Sequence, residues 1–213
     1  MTRIELGQGA WVELLESWLS EADAAQLCAR LIAELSWEQR HVVLFGKRIL
    51  QPRLIAWQGA LPYRYSGQTL EPRAWPLGLE PELGALASRI SEHAGALFNH
   101  VLVNRYRDGQ DSMGYHADDE PELGPDPVVA ALSLGRPRRF LLRPRRSRKG
   151  ERALSLVLTN GSLLVMGGTC QRHQRHAVPR EPSPLGAGST AERVSLTYRR
   201  LLAAPAASSG ARG

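Results

Sequence analysis

Apolar residues recur with helical spacing in two stretches of the chain. The pattern over residues 9–36 predicts a helical region, and Ser20 with Asp23 three positions later is typical of a helix cap inside it. A second apolar stripe predicts a helix over residues 81–98. We expect both apolar faces to pack against a sheet, with Cys28 filling core space in the first stretch.

Short apolar and alternating runs predict strands over most of the remaining chain. They cover residues 42–45, 53–58, 61–67, 100–107, 127–135 and 139–143. The run at 127–135 is almost continuously apolar, which predicts a strand buried on both faces, with 139–143 as its pairing partner. Asn160 and Gly161 favour a tight turn, so residues 154–158 and 163–166 predict a β-hairpin. Few helices and many strands indicate an α+β chain with a double-sheet barrel core.

Length and composition fit one domain over residues 1–203, followed by a small polar tail at 204–213 that we expect to be disordered. No apolar run approaches the roughly 18 residues of a membrane span, and the N-terminus lacks a secretory pattern. Cys28 and Cys170 have no metal-site spacing, and a disulfide between them cannot be argued. We therefore expect a cytoplasmic monomer without a membrane partner. The net charge of +6 makes a polyanion partner plausible.

His116 and Asp118 are the first residues that suggest chemistry. They follow a strand whose alternation puts Asn104 and Tyr106 on one face. In extended backbone, residues two apart point to the same side, so an imidazole nitrogen and a carboxylate oxygen can meet one metal ion. The same two residue types also occur as an ordinary surface pair, so the motif alone leaves both interpretations open.

A polar strand face and two histidines near the C-terminus extend this picture. Arg193, Ser195, Thr197 and Arg199 share one face of a predicted strand. That face either points into water or lines a barrel mouth, where two guanidiniums would hold a small dicarboxylate. Upstream, the residues alone do not decide which of two histidines, at positions 173 and 176, is a metal ligand.

Aromatic and basic residues are interleaved over residues 41–75, where Tyr63 and Tyr65 share a strand face. Such a surface can stack bases and hold phosphates, or it can be a set of edge strands with ordinary aromatic packing. The basic run at residues 143–152 is either a solvated loop or a phosphate contact.

Five segments, in order, resemble the AlkB family of Fe(II)- and 2-oxoglutarate-dependent dioxygenases, in its nucleic-acid repair branch. They are residues 104–109, 116–120, 161–166, 175–179 and 193–199. The resemblance implies an α+β fold with a double-stranded β-helix (jelly roll) core and N-terminal bracing helices. It also implies a nucleotide-recognition lid at about residues 41–75.

The resemblance further implies residue roles. The iron ligands and catalytic centre would be His116, Asp118 and His176, which leaves His173 as a neighbour. The 2-oxoglutarate site would comprise Asn104, Tyr106, Arg193, Ser195 and Arg199. Ser195 stands where the family commonly has asparagine, and a serine reaches less far. From side-chain chemistry we expect the substrate residues to be Phe45, as a wedge into the duplex, with Tyr63, Tyr65, Asp119 and Glu120 around the base. The alternative is that these are packing or surface residues.

The implied reaction uses Fe(II), 2-oxoglutarate and O2. Hydroxylation of the N-linked methyl group of N1-methyladenine or N3-methylcytosine in alkylated DNA would release formaldehyde and restore the unmethylated base, with RNA or another methylated substrate as the alternative. Two rival classes have different requirements. A zinc hydrolase could use the same three ligands with a bound water. A non-catalytic nucleic-acid-binding module would need the basic lid but no complete ligand set.

Overall fold

The computed structural model describes residues 1–44, 47–65, 67–146, 152–181 and 192–203. Phe45, the tail at 204–213 and part of the basic run, residues 147–151, lie outside the described residues. The elements follow in chain order: β1 (Thr2–Gly7), β2 (Ala10–Leu15), α1 (Glu21–Glu34), β3 (His41–Leu44), β4 (Lys47–Leu50), β5 (Leu54–Gly59), β6 (Tyr63–Tyr65), β7 (Gln68–Leu70), α2 (Glu80–Ala94), β8 (His100–Tyr106), β9 (Met113–His116), β10 (Val129–Gly135), β11 (Arg138–Pro144), β12 (Leu154–Leu158), β13 (Ser162–Gly168), α3 (Cys170–His173), β14 (Gln174–Val178) and β15 (Arg193–Arg199).

Two antiparallel sheets form the core. The major sheet has the order β1-β2-β13-β10-β15-β8-β5, and the minor sheet has the order β12-β11-β14-β9. Buried side chains of both sheets meet in one apolar cluster, to which the major sheet contributes Val129 and Met166 and the minor sheet Phe140 and Leu142. This arrangement is the expected jelly roll.

The two long helices brace the major sheet on its other face. Apolar residues of α1 and α2, such as Leu31 and Leu83, share a buried cluster with β10 and β15. Ser20 caps α1 by accepting a hydrogen bond from the Asp23 backbone N–H, and α2 ends at Gly95, whose φ of 60° suits glycine. The expected bracing role of the helices is confirmed. In the part of the chain that is described, no helix is long and apolar enough to cross a membrane.

The prediction of a helical region over residues 9–36 is wrong in its first part. Ala10–Leu15 is strand β2, and its buried residues Ala10, Val12 and Leu14 alternate with more exposed ones. That period of two puts one face on the core, and β2 is held between β1 and β13. Three apolar residues inside a short window fit either period, and the pairing partners decided the outcome.

The prediction of a β-hairpin around Asn160 and Gly161 is also wrong. The strands on either side, β12 and β13, lie in different sheets, so the turn carries the chain from the minor sheet to the major one. The Asn160 side chain accepts a hydrogen bond from the Gly135 backbone N–H, and Gly161 has a φ of 76°. The sequence also suggested that β11 pairs with β10. In the structure β11 pairs instead with β12 and β14.

Two small hairpins extend from the edge of the major sheet at β5. Among the described residues, β3 and β4 pair only with each other, and so do β6 and β7. We call residues 41–50 and 63–70 the lid hairpins. A third apolar cluster joins the second hairpin to β5 and β8, and it includes Tyr63, Tyr65 and Leu70. The two tyrosines that alternation put on one face are therefore both buried.

Candidate active site

Pairing of β9 with β14 brings the candidate ligands together. His116, at the end of β9, lies directly opposite His176 in β14, with ring centroids 4.2 Å apart. Asp118 follows two residues later, and ligand atoms of the three side chains all lie within 4.8 Å of one another. His173 is on α3, outside this group, and its carbonyl accepts a hydrogen bond from the Arg145 N–H.

Asp118 has one occupied and one open oxygen. Arg199 donates two hydrogen bonds to Oδ1, at 3.0 and 2.6 Å. Oδ2 is buried with no donor among the described residues and lies 3.6 Å from His176 Nε2. Burial alone would raise the pKa of this carboxyl, but Arg199 and the two histidines outweigh it and hold the pKa at about 2. A charged, open oxygen is therefore available to a cation.

Both imidazoles are suited to metal binding. Burial lowers the pKa of His116, and it lowers the pKa of His176 to about 3, so both rings are neutral near pH 7. His116 Nδ1 donates to the Gly114 carbonyl at 3.0 Å, which leaves Nε2 with its lone pair. Two neutral imidazoles and one carboxylate form a donor set that fits Fe(II) or zinc.

The polar face of β15 points into a cavity beside this cluster, which resolves the alternative left open by the sequence. His116 and His176 of the cluster line this cavity, whereas Asp118 does not. The other polar lining residues are Asn104, Tyr106, Arg193, Ser195, Thr197 and Arg199. Registration across β15 and β8 places Ser195 opposite Asn104, and Arg193 opposite Tyr106. All five residues expected at the co-substrate site thus line one cavity.

Arg193 and Arg199 differ in how much of each guanidinium is already bound. Arg193 is buried and donates from one Nη atom to Ser133 Oγ at 2.8 Å. Its Nε and other Nη atom have no acceptor among the residues the structure describes, and burial lowers its pKa. Arg199 is held by Asp118 and by the Thr197 carbonyl at 3.3 Å. Arg193 is consequently the cation with unused donors in the cavity, which an anionic ligand would satisfy.

Comparison with known proteins decides the family. The model of the 2OG-Fe(II) oxygenase superfamily matches residues 12–199. The chain belongs to this superfamily. It is similar to alpha-ketoglutarate-dependent dioxygenase alkB homolog 3 of Rattus norvegicus, with 40% identity over 198 residues, which is 90% of this chain and 64% of the relative. It is also similar to DNA oxidative demethylase ALKBH2 of Mus musculus, with 39% identity over 168 residues, 76% of this chain and 66% of the relative.

These relatives place the chain in the AlkB family, as the motifs suggested, although it spans only about 64–66% of their length. A solved structure titled "The structure of OsALKBH1" matches with a TM-score of 0.60 and 18% identity, covering 89% of this chain and 97% of that one. At that identity the match shows the fold alone, and it agrees with the jelly roll described above.

Two residues of this AlkB-family chain were not singled out as site residues from the sequence. Arg53 is buried and donates to Asn104 Oδ1 at 2.9 Å and to Tyr65 Oη at 2.6 Å, although its position in the basic lid suggested a phosphate contact. Gln171 is buried, and its Oε1 accepts the Asp118 backbone N–H at 3.1 Å. No local signal marks either residue, because both act through partners more than 10 positions away.

The residues expected around the substrate base occupy different environments. Tyr63 is buried 4.9 Å from the His100 ring centroid, and Arg199 lies 5.8 Å from the Tyr63 ring centroid. Glu120 has a buried Oε2 without a donor in the described part of the chain. Burial and, next, the Asp118 charge raise the pKa of Glu120 to about 7. Asp119 is ion-paired with Arg145, so its charge is already balanced.

Proposed function

We propose that this chain catalyses Fe(II)- and 2-oxoglutarate-dependent oxidative demethylation of alkylated bases in DNA, with N1-methyladenine and N3-methylcytosine as substrates. One observation carries the proposal: the open Asp118 Oδ2 converges with two neutral imidazoles, and these imidazoles share a cavity with the unused donors of Arg193. A zinc hydrolase has a use for the first three groups but none for a buried arginine with free donors beside them.

His116, Asp118 and His176 would hold the iron. Arg193 would bind a carboxylate of 2-oxoglutarate through its Nε and free Nη atom, and Arg199 would keep Asp118 oriented at the edge of the same pocket. When bound, Fe(II) supplies activation of dioxygen, with oxidation of 2-oxoglutarate to succinate and CO2 as the electron source.

Other residues would complete the co-substrate pocket. Asn104, Tyr106 and Ser195 present polar groups along its wall. The apolar residues Phe140 and Met166, which also line it, would exclude water from the reacting centre.

The substrate base would have to leave the duplex, or be met in a single strand, to reach so buried a centre. A methyl group on the pairing edge lowers the cost of extrusion, because it weakens base pairing. Methylation at adenine N1 or cytosine N3 leaves the ring cationic. The ionised form of Glu120 would attract this ring, and the nearby cation would favour that form against the raised pKa of the carboxyl. Tyr63 and Tyr65 would bound the base from the lid side. Hydroxylation of the methyl carbon then lets it leave as formaldehyde.

The names of the relatives support a nucleic-acid substrate, since one of them is a DNA oxidative demethylase. The cysteines Cys28 and Cys170 are free and buried, which fits a reducing compartment such as the cytoplasm.

The test is incubation of the protein with Fe(II), ascorbate, 2-oxoglutarate and matched oligonucleotides. The DNA panel carries N1-methyladenine, N3-methylcytosine or O6-methylguanine, and an RNA panel carries the first two. Mass spectrometry should show formaldehyde and restored bases for the two cationic lesions in DNA, with little change in the neutral one. Turnover of RNA alone would move the assignment to RNA. Demethylation of peptides with none of any oligonucleotide would overturn the nucleic-acid assignment.

A further inference from the structure

Glu38 lies where both lid hairpins meet the edge of the major sheet. Its backbone forms two hydrogen bonds with Ile55 in β5, both 2.8 Å long. Its carboxylate accepts a hydrogen bond from Arg40 Nε at 2.9 Å on one oxygen and from an Arg73 Nη at 2.6 Å on the other. One carboxylate thus joins two guanidiniums that come from opposite sides of the lid in sequence.

Both guanidiniums also contact the same indole. Arg73 lies 3.9 Å and Arg40 4.8 Å from the Trp57 ring centroid. Trp57 is buried in β5, and its Nε1 donates to the Glu71 carbonyl at 2.7 Å. We call Glu38, Arg40, Trp57 and Arg73 the Glu38 cluster.

The cluster reaches each hairpin at its base. The Arg40 carbonyl accepts the Gln51 N–H at 2.8 Å, which closes the β3–β4 hairpin. An Nη atom of Arg40 lies 3.4 Å from the Gln68 side-chain oxygen and 3.4 Å from the Thr69 carbonyl, both in β7 of the second hairpin. Arg73, just after that hairpin, pairs through its backbone with Gly59 at the end of β5.

The β3–β4 hairpin needs such an anchor more than the β6–β7 hairpin, whose Tyr63, Tyr65 and Leu70 are buried. Two-stranded hairpins are only marginally stable in water, and neither of these pairs with a third strand in the described part of the chain. Strand β4 is exposed along its whole length, so it buries little apolar surface of its own. Isolated surface ion pairs contribute little, but this carboxylate serves two guanidiniums that are seated on one buried ring.

We propose that Glu38 is a positioning residue that fixes both lid hairpins to β5, so that the lid presents a nucleic-acid substrate to the cavity. The role in substrate presentation rests on the proposed function; the anchoring of the hairpins does not. Loss of the Glu38 charge would free both hairpins together while the two sheets and the ligand cluster stay intact.

Hydrogen exchange followed by mass spectrometry tests the anchor directly. In Glu38→Gln we expect backbone amides in peptides spanning residues 41–50 and 63–70 to exchange about tenfold faster than in the unaltered protein. Peptides from β10 should be unchanged. Glu34→Gln is the matched control, because Glu34 forms an ion pair with Arg30 at similar side-chain exposure, 36% against 32% for Glu38. Unchanged exchange in both hairpins, or equal acceleration in β10, would overturn the proposal.

Kinetics test the consequence for the substrate. We expect Glu38→Gln to raise the KM for a methylated oligonucleotide about fivefold or more, which is about 1 kcal/mol. The KM for 2-oxoglutarate should not change, and neither should the slow turnover of 2-oxoglutarate without oligonucleotide. In Glu38→Asp, which keeps the charge, the KM for the oligonucleotide should rise less than in Glu38→Gln. Faster exchange with an unchanged oligonucleotide KM would overturn the positioning role. If the unaltered protein consumed 2-oxoglutarate but repaired no oligonucleotide, the proposed function would fail, and the exchange comparison would still decide whether Glu38 anchors the hairpins.

Discussion

Asp118 divides its carboxylate between Arg199 and an open position. Arg199 donates twice to Oδ1, at 3.0 and 2.6 Å, and Oδ2 faces His176 at 3.6 Å without a donor in the described structure. The arginine therefore fixes which oxygen is available and in which direction it points. Groups that orient a metal ligand in this way commonly affect metal affinity about 10–100-fold.

The first prediction concerns that arginine. Arg199→Lys keeps a positive charge but loses the planar pair of donors, so we expect the Fe(II) concentration for half-maximal 2-oxoglutarate turnover to rise about 10–100-fold. An iron titration measures it, with Arg3→Lys in an exposed ion pair as the control. If only the KM for 2-oxoglutarate changed, Arg199 would act on the co-substrate and not through Asp118.

The choice between the two nearby histidines gives the second prediction. We expect His176→Ala to abolish turnover, because it removes one of three converging donors. His173→Ala should retain most activity, because that side chain lies outside the group. Iron content and formaldehyde release are measured for both variants. Loss of iron in His173→Ala with retention in His176→Ala would reverse the assignment.

Arg193→Ala should raise the KM for 2-oxoglutarate at least roughly thirtyfold, because removal of one partner of a buried charge pair costs about 2–5 kcal/mol. Iron binding should persist, since Arg193 does not contact Asp118 or either candidate histidine ligand through a hydrogen bond among the described residues. Arg193→Lys is the informative second variant, because it keeps the charge and loses the fork of donors. An unchanged co-substrate dependence in both would remove Arg193 from the pocket.

The hydrogen bonds of the Asp111 carboxylate lead us to expect that stability depends on pH. Its carboxylate accepts hydrogen bonds from the Arg107 backbone N–H and guanidinium at 2.8–3.0 Å. Burial alone would raise its pKa, but Arg107 outweighs burial and lowers it. A carboxyl whose pKa is lower in the folded state than in the unfolded state stabilises the fold at pH values above its unfolded-state pKa. This contribution is lost as the pH falls through its folded-state pKa.

Asp111→Asn should therefore reduce the free energy of unfolding by about 1 kcal/mol at pH 7, a modest value because the Arg107 side chain is 42% exposed. The difference between the two proteins should narrow below about pH 4. Urea unfolding at several pH values measures this difference, and Glu5→Gln in an exposed ion pair is the control. A difference that grew as the pH fell would contradict the sign.

Much of the site could be predicted because its residues are grouped in short segments with strand periodicity. His116 and Asp118 are two apart, and the alternation of β15 put Arg193 and Arg199 on one face. Whether that face points inward depends on which strands flank β15, and the motif resemblance supplied that information where periodicity did not.

The parts that could not be predicted depend on long-range pairing. Nothing near Asn160 distinguishes a hairpin from a crossing between sheets, because both need a tight turn. Arg53 and Gln171 are ordinary polar residues in sequence, and their roles come from partners that only the folded chain brings near. The apolar spacing in β2 satisfied a helical pattern by coincidence, and pairing with β1 and β13 overrode it.

The position of β15 has a consequence for how the protein is made. This strand is last in sequence among those described, yet it lies between β10 and β8, in the interior of the major sheet. Arg199 reaches Asp118 across 81 positions of sequence. A nascent chain on the ribosome must therefore wait for the segment that contains β15 before the sheet closes, and contacts of such long range form slowly. Until then Arg199 is not in place beside Asp118, so the carboxylate is oriented only after the segment that contains β15 has been made.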